Sequence, residues 1–165
     1  MTDFVRFDAR AVDGFPTAVA EVLLERGLPR RVITIFTAAS SVAGNSRSFG
    51  KREVDGLVVG FSREDDELFV DFESGRVWLL ASWGAGEPIL TNGDLRSFVD
   101  SLVLVESRYP FYPPDRDLDI AEQAEESLRG ALEEIDSAST ADPDGFWSAF
   151  LDDVASGDYA GTATE

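Results

Sequence analysis

Apolar residues recur along this chain with two different periods, and the change from one to the other divides it. From Phe15 to Arg26, Val19, Val22 and Leu23 fall on one helical face, while Pro16 suits a first turn and Gly27 followed by Pro29 suits a stop. This predicts a short N-terminal helix. Val32–Phe36 is rich in β-branched residues and predicts a strand, and the polar Ala/Ser/Gly/Asn stretch from Ser40 to Ser48 predicts a loop. Three apolar runs follow, Leu57–Phe61, Leu68–Phe72 and Val77–Leu80. They are separated by Glu64–Glu67 and by Glu73–Gly75, both rich in turn formers, so residues 57–81 predict an antiparallel meander.

After a Gly-Ala-Gly connection and a short Pro88–Leu90 stretch the period lengthens to 3.6. Leu95, Phe98, Val99 and Leu102 form one stripe behind a cap at Asn92 or Asp94, and Ala124, Leu128, Ala131, Leu132 and Ile135 form a second. A third begins at Asp142 as N-cap with Pro143 in the first turn. There Trp147, Phe150, Leu151 and Val154 repeat at i, i+3, i+4 and i+7 before Gly157 ends the helix. Helix, then strands, then helices predicts an α+β fold with segregated elements: an N-terminal helix, a central antiparallel or mixed sheet, and C-terminal helices packed on it. No internal repeat is visible. The 165 residues are expected to form one domain, residues 1–165, with 158–165 as a flexible tail.

Composition narrows the chemistry sharply. There is no histidine and no cysteine, so the usual neutral-pH general base, thiolate nucleophiles, disulfides and Cys/His zinc sites are all missing. Acidic residues number 32 against 14 basic ones, a net charge of −18. The excess is uneven: Asp115–Glu165 holds 15 acids and only Arg116 and Arg129 as bases, hence −13 of that charge. The sign argues against phosphate backbones and anionic lipid and favours a basic protein partner, so no nucleic acid and no membrane are expected as direct partners. Acidity also serves solubility or a salty cytoplasm, and the sequence leaves that alternative open. The start, Met1–Arg10, has no apolar core of a signal peptide, and no stretch approaches the roughly 18 apolar residues of a membrane span, so the expected location is the cytoplasm.

Two motif-like strings fail on inspection. Asp115, Asp117, Asp119 and Glu126 occupy positions one, three, five and twelve of a calcium-loop pattern, but Ile120 stands where the sharp turn needs glycine. Aspartates at a helix start are better explained by the N-terminal dipole. Gly84-Ala-Gly86 begins a glycine-rich fingerprint, yet Ile89 replaces the third glycine and Pro88 intrudes. Neither a metal nor any other cofactor is expected. Paired carboxylates alone can hydrolyse glycosides or hold magnesium, but among 32 acids no pair stands out, so no catalytic residue is assigned and the chain does not read as an enzyme.

Candidate partner-binding residues follow from surface logic. Arg108–Asp115 concentrates Tyr109, Phe111 and Tyr112 among prolines in an irregular stretch, where rigid rings can anchor a partner at small entropic cost, with Asp115, Asp117 and Asp119 beside them. The alternative is that these rings pack the helix connection onto the sheet. Asp65, Asp66 and Glu67 sit at a hairpin tip, where they serve either a partner or ordinary turn solvation. Asp152 and Asp153 read as the wet face of the last helix. Of the three tryptophans, Trp147 lies on a periodic stripe and belongs to the core, the face of Trp78 in its strand is undetermined, and Trp83 beside Gly84 and Gly86 is a loop anchor candidate.

The order of elements and four phrases resemble the SUKH superfamily of bacterial toxin-immunity proteins, in particular its fourth subgroup. The phrases are Gly27–Pro29 after the first helix, the Gly75–Leu80 strand, Leu90-Thr-Asn-Gly-Asp-Leu-Arg-Ser-Phe98 opening a helix, and Ala141-Asp-Pro-Asp-Gly-Phe-Trp147. The resemblance implies a non-enzymatic α+β protein encoded beside a polymorphic toxin, which it neutralises by direct binding. Toxins paired with such proteins are commonly nucleases or nucleic-acid deaminases with basic grooves, which an acidic inhibitor would complement. A SUKH-fold protein-binding adaptor in regulation or the cell envelope, with no toxin, is the alternative.

Overall fold

The computed structural model describes residues 1–82 and 86–161. Helix α1 (Thr17–Glu25) follows Pro16 at its N-cap, and the chain leaves it through Gly27 at φ +78°. A Cβ at Gly27 would lie 2.1 Å from the carbonyl oxygen of Val5, so glycine is needed here for both conformation and space. That close approach lets β1 (Phe4–Val5) pair antiparallel with β2 (Leu28–Pro29) as a separate two-stranded ribbon.

The expected strand at Val32–Phe36 is instead a hairpin. Strand β3 (Arg31–Val32) ends in a turn in which Ile35 N–H donates to the Val32 carbonyl and Ile33 takes φ +47°. The chain then returns as β4 (Phe36–Ala38). A β-branched residue in the left-handed region costs about 1–2 kcal/mol, and the packing of Ile33 against the core and burial of Ile35 and Phe36 offset it. Burial thus overrode the β propensity. The expected loop 40–48 likewise ends in a strand, β5 (Asn45–Phe49), which pairs along the first half of the long β6 (Arg52–Ser62) while β4 pairs along its second half.

The predicted meander is present as β6, β7 (Glu67–Asp71) and β8 (Val77–Leu80), extended by β9 (Ile89–Asn92). The antiparallel sheet runs β3-β4-β6-β7-β8-β9, with β5 attached to β6. Leu57, Leu68, Val70 and Val77 are fully buried on the side that joins the main core. On the other side Phe49 lies 6.0 Å from Phe69 and 5.5 Å from Trp78, ring to ring, which settles the face of Trp78.

The helical half follows the sequence closely. Helix α2 (Leu95–Arg108) is capped by Asp94, whose carboxylate accepts from Ser97 N–H at 2.7 Å. Helix α3 (Leu118–Ile135) is capped by Asp117, and α4 (Phe146–Ala155) buries Trp147, Phe150, Leu151 and Val154 as its period predicts. The start of α4 differs. Asp142 does not cap it but accepts from Asp144 N–H in a turn of its own, and Gly145 occupies the N-cap. After α4, Tyr159 is buried and Ala160 bridges to Tyr112. Among the described residues no helix is long and apolar enough to cross a membrane.

Candidate functional site

The β6–β7 connection builds one wall of a cleft. Ser62 organises it: its Oγ accepts from the N–H groups of Glu64 and Asp66, and its N–H donates to the Asp66 carbonyl at 2.8 Å. Asp65 takes φ +63°, which aspartate tolerates better than most residues, and so stands exposed at the tip. Asp66 turns back and accepts from Ser82 N–H at 2.9 Å, tying the tip to the end of β8. Glu67 faces the other side of the sheet, where it receives a two-pronged bond from Arg47 at 2.9 and 2.8 Å. That bond and the Glu67 charge outweigh burial and raise the Arg47 pKa.

Opposite this hairpin lies the first half of α4. Between them is a cleft of about 230 Å³ floored by Leu79, Ile89, Phe146 and Phe150. Its rim holds Glu64 and Asp66 from the hairpin and Asp144 and Asp153 from the α4 side, against one cation, Arg63. Arg63 is engaged from within the protein, 2.5 Å from Asp153 Oδ2 and donating to Tyr159 Oη at 3.3 Å. Burial lowers the Arg63 pKa, but the hydrogen bond and charge of Asp153 carry the net shift upward. Asp153, expected on a wet face, is thus half-buried in an ion pair.

The aromatic stretch after α2 divides by residue. Tyr112 is 4% exposed; its hydroxyl donates to the Val154 carbonyl at 2.8 Å and accepts from Tyr159 N–H at 3.1 Å, so it fastens the chain end to α4. Burial pushes the Tyr112 pKa up, against the pull of the Tyr159 amide and Arg116. Phe111 is half-buried between Phe150 and Tyr159, ring centroids 5.8 and 6.2 Å away. Tyr109 alone of the three keeps an open face, at 40% exposure. Asp117 is used as a cap, donating nothing and accepting from Ile120 N–H at 3.0 Å, while Asp115 and Asp119 are exposed. Beside them Leu118 and Ile120, which no sequence signal marks, are apolar and exposed on the first turn of α3. Trp83 lies outside the described residues.

Down the rest of α3 most acids lack a counter-charge, Glu125 excepted. Glu122, Glu126, Glu133 and Glu134 are exposed, and among the described residues none of them has a cation within ion-pair distance. Both bases of this third of the chain are committed elsewhere: Arg129 to Glu125 at 2.5 Å, and Arg116 to the carbonyls of Gly157 and Pro114. Arg116 also lies 5.6 Å over the Tyr112 ring. Among the described residues no group of three or more acids is arranged to hold a metal ion.

Behind these surfaces, Asn92 and Trp147 meet in the interior. Trp147 Nε1 donates to Asn92 Oδ1 at 2.8 Å, Asn92 Nδ2 donates to Asp136 Oδ2 at 3.0 Å, and Gly93 N–H donates to the same oxygen at 2.7 Å. Asn92 belongs to one of the phrases quoted above and Trp147 to another, so residues 55 positions apart form one buried suture. A family model described as SUKH-4 immunity protein matches residues 2–153, which include both. The chain belongs to the SUKH-4 immunity protein family. Searches of curated proteins and of solved structures found no match. For a SUKH-4 protein the expected task is immunity against a toxin, and the partner so implied is that toxin. In this SUKH-4 chain two of the four phrases therefore meet in a buried seam, while one of them, Ala141–Trp147, also carries the exposed rim acid Asp144.

Of the rim residues, Asp66 was expected at a hairpin tip, serving either a partner or turn solvation, whereas Glu64, Asp144 and Arg63 were not expected beside it. No local signal could have joined them, because about 80 residues separate the hairpin from the start of α4 in this SUKH-4 chain.

Proposed function

We propose that this immunity protein works in the cytoplasm as a direct inhibitor of a toxin domain with a basic substrate groove, a nuclease or nucleic-acid deaminase, which it covers with its acidic surface. The observation that supports this reading most is the row of uncompensated carboxylates on α3. Glu122, Glu126, Glu133 and Glu134 face solvent while the nearest bases are held by other partners. Charges so placed project a field over the roughly 8–10 Å allowed by screening, and such fields raise association rates with oppositely charged partners. Affinity then comes from a few buried anchors, and exposed Tyr109, Leu118 and Ile120 beside the acids supply apolar area.

Inhibition by occupancy needs no catalytic group on this chain. The test is co-expression with the C-terminal domain encoded by a neighbouring large secreted-protein gene, scoring growth and recovery of a complex. Growth restored together with a stable one-to-one complex supports the reading. Growth restored with no complex would contradict direct contact, and failure of both would favour an adaptor role.

A further inference from the structure

The cleft between the β6–β7 hairpin and α4 combines two kinds of surface. Its floor is apolar, from Leu79, Ile89, Phe146 and Phe150, while its rim carries four carboxylates and one guanidinium. Asp153 is neutralised by Arg63, which leaves Glu64, Asp66 and Asp144 without an ion-pair partner among the described residues. At about 230 Å³ it is smaller than the roughly 300–1,000 Å³ of ordinary cofactor or small-molecule sites. An inserted side chain suits it better than a free ligand.

The combination selects the kind of side chain. An apolar side chain would fill the floor but bring three carboxylates toward desolvation without repayment, and an acidic one would be repelled. Arginine satisfies both halves: its methylenes lie along apolar surface and its planar fork meets carboxylates with paired hydrogen bonds. The wall of the cleft already holds one such group, Arg63, between Asp153 and Tyr159. Its walls also come from two elements joined through the protein core. Ser62 fixes the hairpin and Asp66 is bonded to Ser82, while Gly145 and Phe146 are buried, so the site is preorganised.

We propose that this cleft is the anchor point for an arginine side chain presented by the toxin domain. The inference rests on the inhibitory reading above and adds where the strongest contact falls: α3 attracts the toxin, and the cleft holds it. The two surfaces should then separate kinetically, since exposed charges act on association whereas desolvated charge contacts act on dissociation.

Two experiments test this, one of which needs no toxin. Amide resonances of the full chain are followed by NMR during titration with N-acetyl-arginine amide and, separately, with its uncharged isostere N-acetyl-citrulline amide. Saturable shifts confined to residues 62–66, 79, 89 and 144–153 with the arginine probe, and absent with citrulline, are expected. Shifts scattered over all acidic surface, or no saturable shift at all, would overturn the proposal. In the second experiment the toxin domain is bound by wild type, by Glu64→Gln with Asp144→Asn, and by Glu122→Gln with Glu126→Gln. All four positions are exposed, so folding is preserved. The cleft pair is expected to raise the dissociation rate about tenfold or more, and the α3 pair to lower the association rate with little change in dissociation. Unchanged dissociation in the cleft pair, with tight binding by wild type, would reject the cleft while leaving the inhibitory reading intact. Absence of wild-type binding would instead reject that reading, and the arginine titration would still decide the cleft.

Discussion

Trp147 Nε1 donates to Asn92 Oδ1 across 2.8 Å in a fully buried contact between the end of β9 and the first turn of α4. Because Asp136 accepts from both Asn92 Nδ2 and Gly93 N–H, the same junction also fixes the C-terminal end of α3. Sheet, α3 and α4 are thereby held in one arrangement, and with them the two walls of the cleft.

Replacing Asn92 by Ala leaves the indole N–H without its acceptor and removes one donor from the Asp136 carboxylate. Unsatisfied buried polar groups cost about 1–3 kcal/mol each, so Asn92→Ala is expected to lower stability by about 2–4 kcal/mol. Trp147→Phe keeps Asn92 bonded to Asp136 and should cost less than Trp147→Ala, for which about 3–5 kcal/mol is expected. Urea unfolding midpoints at constant slope provide the measure, and equal losses for the two Trp147 variants would show that the bond to Asn92 and the ring's packing are not separable.

Two glycines on β6 admit no side chain. A Cβ at Gly56 would lie 2.0 Å from the Val70 carbonyl oxygen and one at Gly60 would lie 2.4 Å from the Phe36 ring, whereas Gly75, at φ +76°, has nothing within 4 Å. Gly56→Ala and Gly60→Ala are therefore expected to destabilise by more than about 3 kcal/mol through overpacking. Gly75→Ala should lose only about 1–2 kcal/mol of backbone strain. Thermal denaturation of the three variants measures the contrast, and a Gly75→Ala loss as large as the others would contradict it.

How much of this was legible beforehand can be read from particular residues. The helical stripes were, because Phe98, Leu128 and Trp147 repeat with one period and face one core, so a local pattern carried the tertiary answer. The hairpin at Ile33 was not. Local β propensity across Val32–Phe36 favours extension, and only burial of Val32, Ile35 and Phe36 together forces the turn. Aspartate placement misled for a related reason: Asp142 and Gly145 are both good helix starters, and the sequence does not say which of them the packing of Phe146 selects. Tyr112 read either as a partner anchor or as packing for the helix connection, since aromatic and proline residues look alike whether a loop faces solvent or a later part of its own chain. The cleft was invisible because its acids come from segments about 80 residues apart in the sequence.

Tyr112 gives a pH prediction. Burial raises its pKa above the ordinary tyrosine value near 10, so the folded state binds this proton more tightly than the unfolded chain does. Its contribution to stability is present below that ordinary value and is lost as pH climbs through it toward the folded pKa. Tyr112→Phe should unfold about 1–2 kcal/mol more easily at neutral pH, through loss of the bonds with Val154 and Tyr159, and should show a shallower decline as pH rises above the ordinary tyrosine value. Stability measured against pH for both proteins checks it; parallel alkaline declines would assign the loss to other groups.

Helix capping separates fold from recognition among the aspartates after α2. Asp117→Ala removes the carboxylate that accepts from Ile120 N–H and is expected to cost about 1 kcal/mol, measurable by thermal unfolding. Asp115→Asn and Asp119→Asn, on exposed residues, should leave stability within about 0.5 kcal/mol and instead slow association with the toxin domain.

The central claim is direct neutralisation through an acidic surface, and the association rate of purified immunity protein with the toxin domain, measured across ionic strength, tests it most directly. A one-to-one complex is expected, with an association rate that falls steeply from about 0.01 M to 0.5 M salt and is reduced by charge removal on α3. A rate independent of salt, or toxin inhibition without a detectable complex, would contradict the account.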